Sequence, residues 1–193
     1  IAITPKGYDF SKNDKLPFKV NASENIIIFF PGSTLGNFEK KDAVKFLKML
    51  KSKFKAKKII IGVDLVKDIP TLISAYDDKK GITAKFNKNI LQRINTELGG
   101  DINLNSYKHL AIYNKPKKRI EMRLKSKKNN NIKINGSKYL IKKNEEIHTE
   151  NSHKYTIRSF KNLTSEAGWR IKKTWVDDKK LFSVHCLHLD KLG

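Results

Sequence analysis

Five large apolar residues in succession, Ile26 to Phe30, stop abruptly at Pro31-Gly32. A run this short is strand-sized, and no polar residue alternates through it. It reads as a strand buried on both faces, as in a parallel sheet. Pro31–Asn37 then supplies a polar, glycine-bearing loop. Ala43, Phe46, Leu47, Leu50 and Phe54 recur at helical spacing and predict an amphipathic helix from Lys40 to Lys55. Ile59–Val63 reads as a second buried strand. It leads into the loop Asp64–Asp68 and a helix opening at Ile69-Pro70, where proline suits the first turn. Strand, loop, helix, strand, helix is the pattern of an α/β fold. Ligands of such sheets gather at the carboxyl ends of the strands, which is where the loops 32–37 and 64–68 fall.

Phe86, Ile90, Leu91, Ile94 and Leu98 predict a further helix, closed by Gly99-Gly100. From about Ser106 to Glu150 the pattern changes to short alternating runs divided by lysine- and asparagine-rich turns. This stretch reads as a small antiparallel β (α+β) subdomain inserted into the core. The last third returns to core elements: a helix at Ile157–Ala167 and strands at Trp169–Val176 and Leu181–Leu189. The expected division is a core of residues 1–76 and 155–193 with an insert of residues 77–154.

The chain has 193 residues, enough for a real core. No apolar run approaches the roughly 18 residues that a membrane helix needs, so no membrane partner is expected. The lone cysteine, Cys186, cannot pair internally, which suggests a reducing, cytoplasmic setting. No signal peptide is visible at Ile1, and the chain opens on isoleucine instead of methionine. We expect an N-terminal portion to precede it. The net charge of +22 suggests a nucleic-acid partner at first sight. However, only five of the 41 basic residues are arginine, the better reader of phosphates and bases. The lysines are scattered, with blocks only at Lys115–Arg119 and Lys125–Lys128, so a solvated lysine coat is the preferred reading.

Several residues could carry chemistry. Asn37, in the glycine-bearing loop, offers an amide that donates and accepts at once, suited to an amino acid's ammonium and carboxylate. It also suits a helix cap. Tyr76, near the end of a short helix, reads either as a hydrogen-bonding lid over a small ligand or as an amphipathic surface residue. Glu150 and Ser152 lie two apart in an extended segment and so share a face. A carboxylate and a hydroxyl side by side can grip the two nitrogens of one imidazole. His148 and His153 lack the spacing of a helical metal pair, and His185 and His188 point to opposite faces of a strand. No metal is therefore expected.

Six blocks occur together in one order: Phe29-Phe-Pro-Gly-Ser-Thr-Leu-Gly-Asn37, Gly62-Val-Asp-Leu-Val-Lys-Asp68, Ala75-Tyr-Asp-Asp78, Gly81-Ile-Thr-Ala-Lys-Phe-Asn87, Ile120-Glu-Met-Arg-Leu124 and His148-Thr-Glu-Asn-Ser152. Each is short, but their order and spacing resemble the histidine-specific, S-adenosylmethionine (SAM)-dependent methyltransferases of ergothioneine biosynthesis. The resemblance runs from about Asp9 to Leu189. It implies the C-terminal part of a Rossmann-like methyltransferase sheet, with the insert as substrate subdomain. It also implies SAM as cosubstrate, L-histidine as substrate and trimethylhistidine (hercynine) as product.

Carried over residue by residue, the resemblance implies that Asn37 holds the amino-acid head group and Tyr76 contacts the α-amine. Glu150 and Ser152 would bind the imidazole, with Thr83 and Met122 lining the same pocket. Asp9-Phe10 resembles the family's acidic-aromatic step beside the adenine of SAM. Asn37 and Tyr76 would thus be the catalytic pair. The glycine-rich SAM loop and the ribose-binding acid lie upstream in this family and have no counterpart here. That leaves an inactive methyltransferase remnant as one alternative. The others are a methyltransferase with a different acceptor and a basic nucleic-acid-binding domain. A monomer is expected.

Overall fold

The computed structural model describes residues 3–10, 15–20 and 25–189. The chain divides into two compact units, one formed by residues up to Val63 together with Thr156 onward, the other by Asp64–Tyr155.

The first unit is built on a four-stranded sheet. β1 (Ile27–Phe30) pairs in parallel with β2 (Lys58–Asp64), Ile27 opposite Lys58 and Phe30 opposite Ile61. β8 (Trp169–Val176) and β9 (Phe182–Leu189) form an antiparallel hairpin, and the strand order is β1-β2-β9-β8. This is the α/β sheet with an antiparallel closing hairpin that the sequence predicts. Asp177 shapes the hairpin turn, its carboxylate accepting from the amides of Lys179, Leu181 and Phe182. β2 is buried through Ile59, Ile61, Gly62 and Val63.

β1 departs from expectation. Ile27 and Phe29 are 50% and 70% exposed, while Ile28 and Phe30 are half-buried. The alternation of exposed and half-buried residues shows that only one face of β1 is packed among the described residues. On that face Phe30 joins Phe46, Phe38 and Phe10 in an aromatic cluster with centroid spacings of 5.0–5.8 Å.

α1 (Lys40–Ser52) buries Ala43, Val44, Phe46, Leu47 and Leu50, the face that its apolar spacing predicts. α4 (Ile157–Glu166) begins with a capping box in which Thr156 and Ser159 satisfy each other's backbone amides. The indole of Trp169 donates to the Leu47 carbonyl at 2.9 Å, tying β8 to α1.

In the second unit β3 (Tyr107–Asn114), β4 (Arg119–Ser126) and β7 (Glu146–His153) form an antiparallel sheet in the order β3-β4-β7. β5 (Asn130–Ile134) and β6 (Ser137–Ile141) make a separate hairpin. α2 (Ile69–Tyr76) starts at Asp68, whose carboxylate accepts from the Thr71 amide. α3 (Ile82–Leu98) ends at Gly99, whose φ of 60° suits the left-handed cap. Leu72 of α2 is buried with Ile120 and Met122 of β4. That packing explains why the second unit begins at Asp64 instead of residue 77: α2 covers the antiparallel sheet and belongs with it. Leu91 of α3 joins Ile102, Tyr107, Leu124 and Ile132 in another cluster.

The segments by which the chain enters and leaves this unit are paired. Leu65 and Tyr155 form a parallel bridge, Tyr155 N–H donates to the Asp64 carbonyl and Val66 N–H to the Tyr155 carbonyl, each at 2.9 Å. Among the described residues no helix is long and apolar enough to cross a membrane.

Candidate functional site

One face of the β3-β4-β7 sheet gathers most of the expected pocket residues. Ile120 pairs with Ser152 and Met122 with Glu150 across β4 and β7, so these four side chains share a face. Ile120 and Met122 are buried against Leu72, and Tyr76, Ile73, Ala111 and Tyr113 pack around them. The Tyr76 hydroxyl lies 2.7 Å from Ser152 Oγ. A strand bulge occurs between Met122 and Arg123, opposite the step from Glu150 to His148. It leaves Thr149 free to donate its hydroxyl to the Met122 carbonyl at 2.9 Å. Bulges of this kind re-aim neighbouring side chains.

Glu150 is half-buried, and among the described residues no donor reaches its carboxylate. Burial raises its pKa above the ordinary carboxylate range, opposed in part by the charge of Lys154. A carboxylate in this position can accept an N–H from a small molecule.

Lys154 is the residue that sequence reasoning missed. Its side chain is 0% exposed, and its ammonium donates to Ser152 Oγ at 2.7 Å, to the Tyr76 hydroxyl at 2.8 Å and to Asp64 Oδ2 at 2.8 Å. It also lies 4.5 Å from the Tyr76 ring centroid. The other Asp64 oxygen accepts from Lys67. The spacing 150, 152, 154 places Lys154 in register with the Glu150/Ser152 pair, and that was the available signal.

His109 fixes the backbone of Tyr76. Asn87 Nδ2 donates to the Arg123 carbonyl at 3.2 Å and to His109 Nδ1 at 2.9 Å. Nδ1 therefore accepts, and the Nε2 hydrogen goes to the Tyr76 carbonyl at 2.7 Å. Both His109 and Asn87 are buried.

Thr83 is placed differently from a free pocket wall. It opens α3, its amide and side chain both engaging Asp78, whose pKa falls to about 2 chiefly through the Thr83 and Ile82 amides. Asn37, Asp9 and Phe10 belong to the first unit. Asn37 ends a 3-10 turn (Thr34–Asn37) and is exposed; Glu39, not Asn37, is the N-cap of α1. Phe10 packs on Phe30 and Phe46 and stays 38% exposed.

The family model described as histidine-specific methyltransferase, SAM-dependent, matches residues 1–189. The chain belongs to that family. Histidine N-alpha-methyltransferase of Mycolicibacterium smegmatis is 34% identical over 78% of this chain and 48% of its own length. The protein of the same name from Mycobacterium tuberculosis is 32% identical over 82% of this chain and 50% of its own. Ergothioneine biosynthesis protein 1 of Schizosaccharomyces pombe is 30% identical over 50% of this chain and 13% of its own. The chain thus spans about half the length of the two histidine methyltransferases.

Proposed function

We propose that this member of the histidine-specific methyltransferases takes part in Nα-methylation of L-histidine, the SAM-dependent step toward ergothioneine. The observation that carries the reading is the convergence of Tyr76 and Ser152 beside Glu150, a half-buried carboxylate that no donor among the described residues reaches. Glu150 accepts the imidazole N–H, and a hydroxyl serves the other nitrogen. The family resemblance assigns Asn37 to the amino-acid head group and Tyr76 to the α-amine, and Met122 provides an apolar wall for the ring. Asp9 and Phe10 are assigned to the adenine of SAM, the acid accepting its amine and the ring packing on the base.

SAM supplies an electrophilic methyl group when bound. The acceptor amine must be neutral, with its lone pair aimed along the line of displacement, so positioning supplies most of the rate. The Tyr76 oxygen already accepts an ammonium hydrogen from Lys154. It therefore suits orientation of the amine better than removal of its proton, which passes to water. No metal enters this chemistry.

Transfer of labelled methyl from SAM to a panel of free amino acids tests the assignment. L-Histidine is the expected acceptor. Preferential labelling of another amino acid, or of none, overturns it.

A further inference from the structure

The buried ammonium of Lys154 has three hydrogens and no lone pair. Its three acceptors, Asp64 Oδ2, Tyr76 OH and Ser152 Oγ, use all of them. Each hydroxyl oxygen thus receives one hydrogen from Lys154. The two oxygens are also 2.7 Å apart, so one hydroxyl hydrogen must lie between them. If Ser152 donates to Tyr76, the phenol hydrogen is left over. If Tyr76 donates to Ser152, the serine hydrogen is left over. In either arrangement one hydroxyl hydrogen is left over; with Tyr76 assigned to the α-amine, Tyr76 donates to Ser152 and the serine hydrogen is the one offered to the ring. With its hydrogens spent, Lys154 acts through the hydroxyls and not on the ligand.

We propose that the Lys154–Asp64 pair is a positioning device that makes Tyr76 and Ser152 a single-donor site. Combined with the acceptor Glu150, it selects a neutral ring bearing one N–H and one nitrogen lone pair. The proposal rests on the histidine reading and deepens it. Imidazole satisfies both partners. Indole has an N–H but no lone pair, so it leaves the hydroxyl hydrogen unpaired. Thiophene satisfies neither partner. A buried polar group left unpaired is costly, which is how such a site discriminates. Asp64 anchors the device because its carboxylate holds the ammonium in place while Lys67 holds the carboxylate.

The test is calorimetric binding of L-histidine and of β-(2-thienyl)alanine to the full chain and to its Lys154→Met variant. Freed of the ammonium, the hydroxyls rotate and lose their fixed hydrogen. Histidine affinity should fall about tenfold or more while thienylalanine affinity changes by less than about twofold, a split that general loosening of the fold would not give. If the folded variant keeps the wild-type preference, the positioning role is overturned and the histidine reading stands. If the wild type shows no preference for histidine, the histidine reading falls and this inference with it. Nitrogen-15 lysine spectra of the wild type guard against a variant that fails to fold. One ammonium signal should exchange slowly with water and shift in both Tyr76→Phe and Ser152→Ala. Fast exchange of every lysine ammonium would refute the proposal.

Discussion

Met122 lies directly across β4 and β7 from Glu150, so a thioether and a carboxylate line the same patch of sheet. One provides apolar contact and the other the only acceptor charge on that face of the pair. Replacing Glu150 by alanine should therefore remove polar recognition and leave the apolar wall intact. L-Histidine affinity should drop about 10- to 100-fold, the value of one hydrogen bond to a charged group, with SAM affinity little changed. Calorimetry with each ligand separately checks this, and equal losses would count against the assignment of Glu150 to the imidazole.

Glu121 occupies the opposite face of β4. It accepts from Arg119 and Asn114 on one oxygen and from Arg123 on the other. Burial raises its pKa, but the bonds from Arg123, Arg119 and Asn114 outweigh that and bring it to about 2. Glu121→Gln should destabilise the fold by about 3 kcal/mol, because the buried Arg119 guanidinium would lose its carboxylate partner. Glu97→Ala, which removes an exposed pair with Arg93, should leave the urea midpoint unchanged. Urea titrations of the two variants side by side make the comparison.

His185 is wholly buried between Thr174 and Ser183 and stacks 4.4 Å from Phe160. Burial lowers its pKa from 6.5 to about 4. The neutral ring is thus favoured in the folded state, and below pH 6.5 the unfolded chain binds a proton that the folded chain refuses. Stability from this group is complete above that value and is lost as pH falls toward about 4, by about 3 kcal/mol in all. The contribution of His185 to the unfolding free energy at pH 7 and pH 5 should differ by about 2 kcal/mol, the rest being lost nearer pH 4. His185→Asn should flatten the dependence.

Gly62 in β2 has no room for a side chain. A Cβ there would sit 2.1 Å from the Pro31 carbonyl oxygen and 2.7 Å from the Phe182 ring. A ring can tilt, but a backbone carbonyl beside a paired strand moves only if β1 moves. Gly62→Ala should cost about 3 kcal/mol or prevent folding. Thermal unfolding with Gly7→Ala as control, where a Cβ meets nothing within 4 Å, gives the contrast.

Much of this arrangement is legible in the residues alone. The closing hairpin, α4 and the antiparallel insert follow from local periodicity and turn chemistry, and these are properties of neighbouring residues. Burial of β1 was not, because the rule reads hydrophobicity along a strand and cannot report which faces are covered. The reach of the second unit back to Asp64 depends on Leu72 meeting Ile120 and Met122, partners some fifty residues away. Thr83 fits the pocket by alignment, yet its amide and side chain are held by Asp78. Lys154 was the hardest to find. Lysine is almost never fully buried unless paired, and its three partners stand at positions 64, 76 and 152.

The hydrogen-bonded pairing of Leu65 with Tyr155 makes the 64–155 segment a cassette with adjoining ends. A stretch whose two ends are already stitched together can be lengthened, shortened or exchanged without altering the distance that the flanking chain must bridge. Under the proposed function, exchange of this cassette changes acceptor preference while the strands before and after it keep their register. A short linker joining residues 63 and 156 should likewise be enough to keep the chain of the β1-β2-β9-β8 sheet continuous.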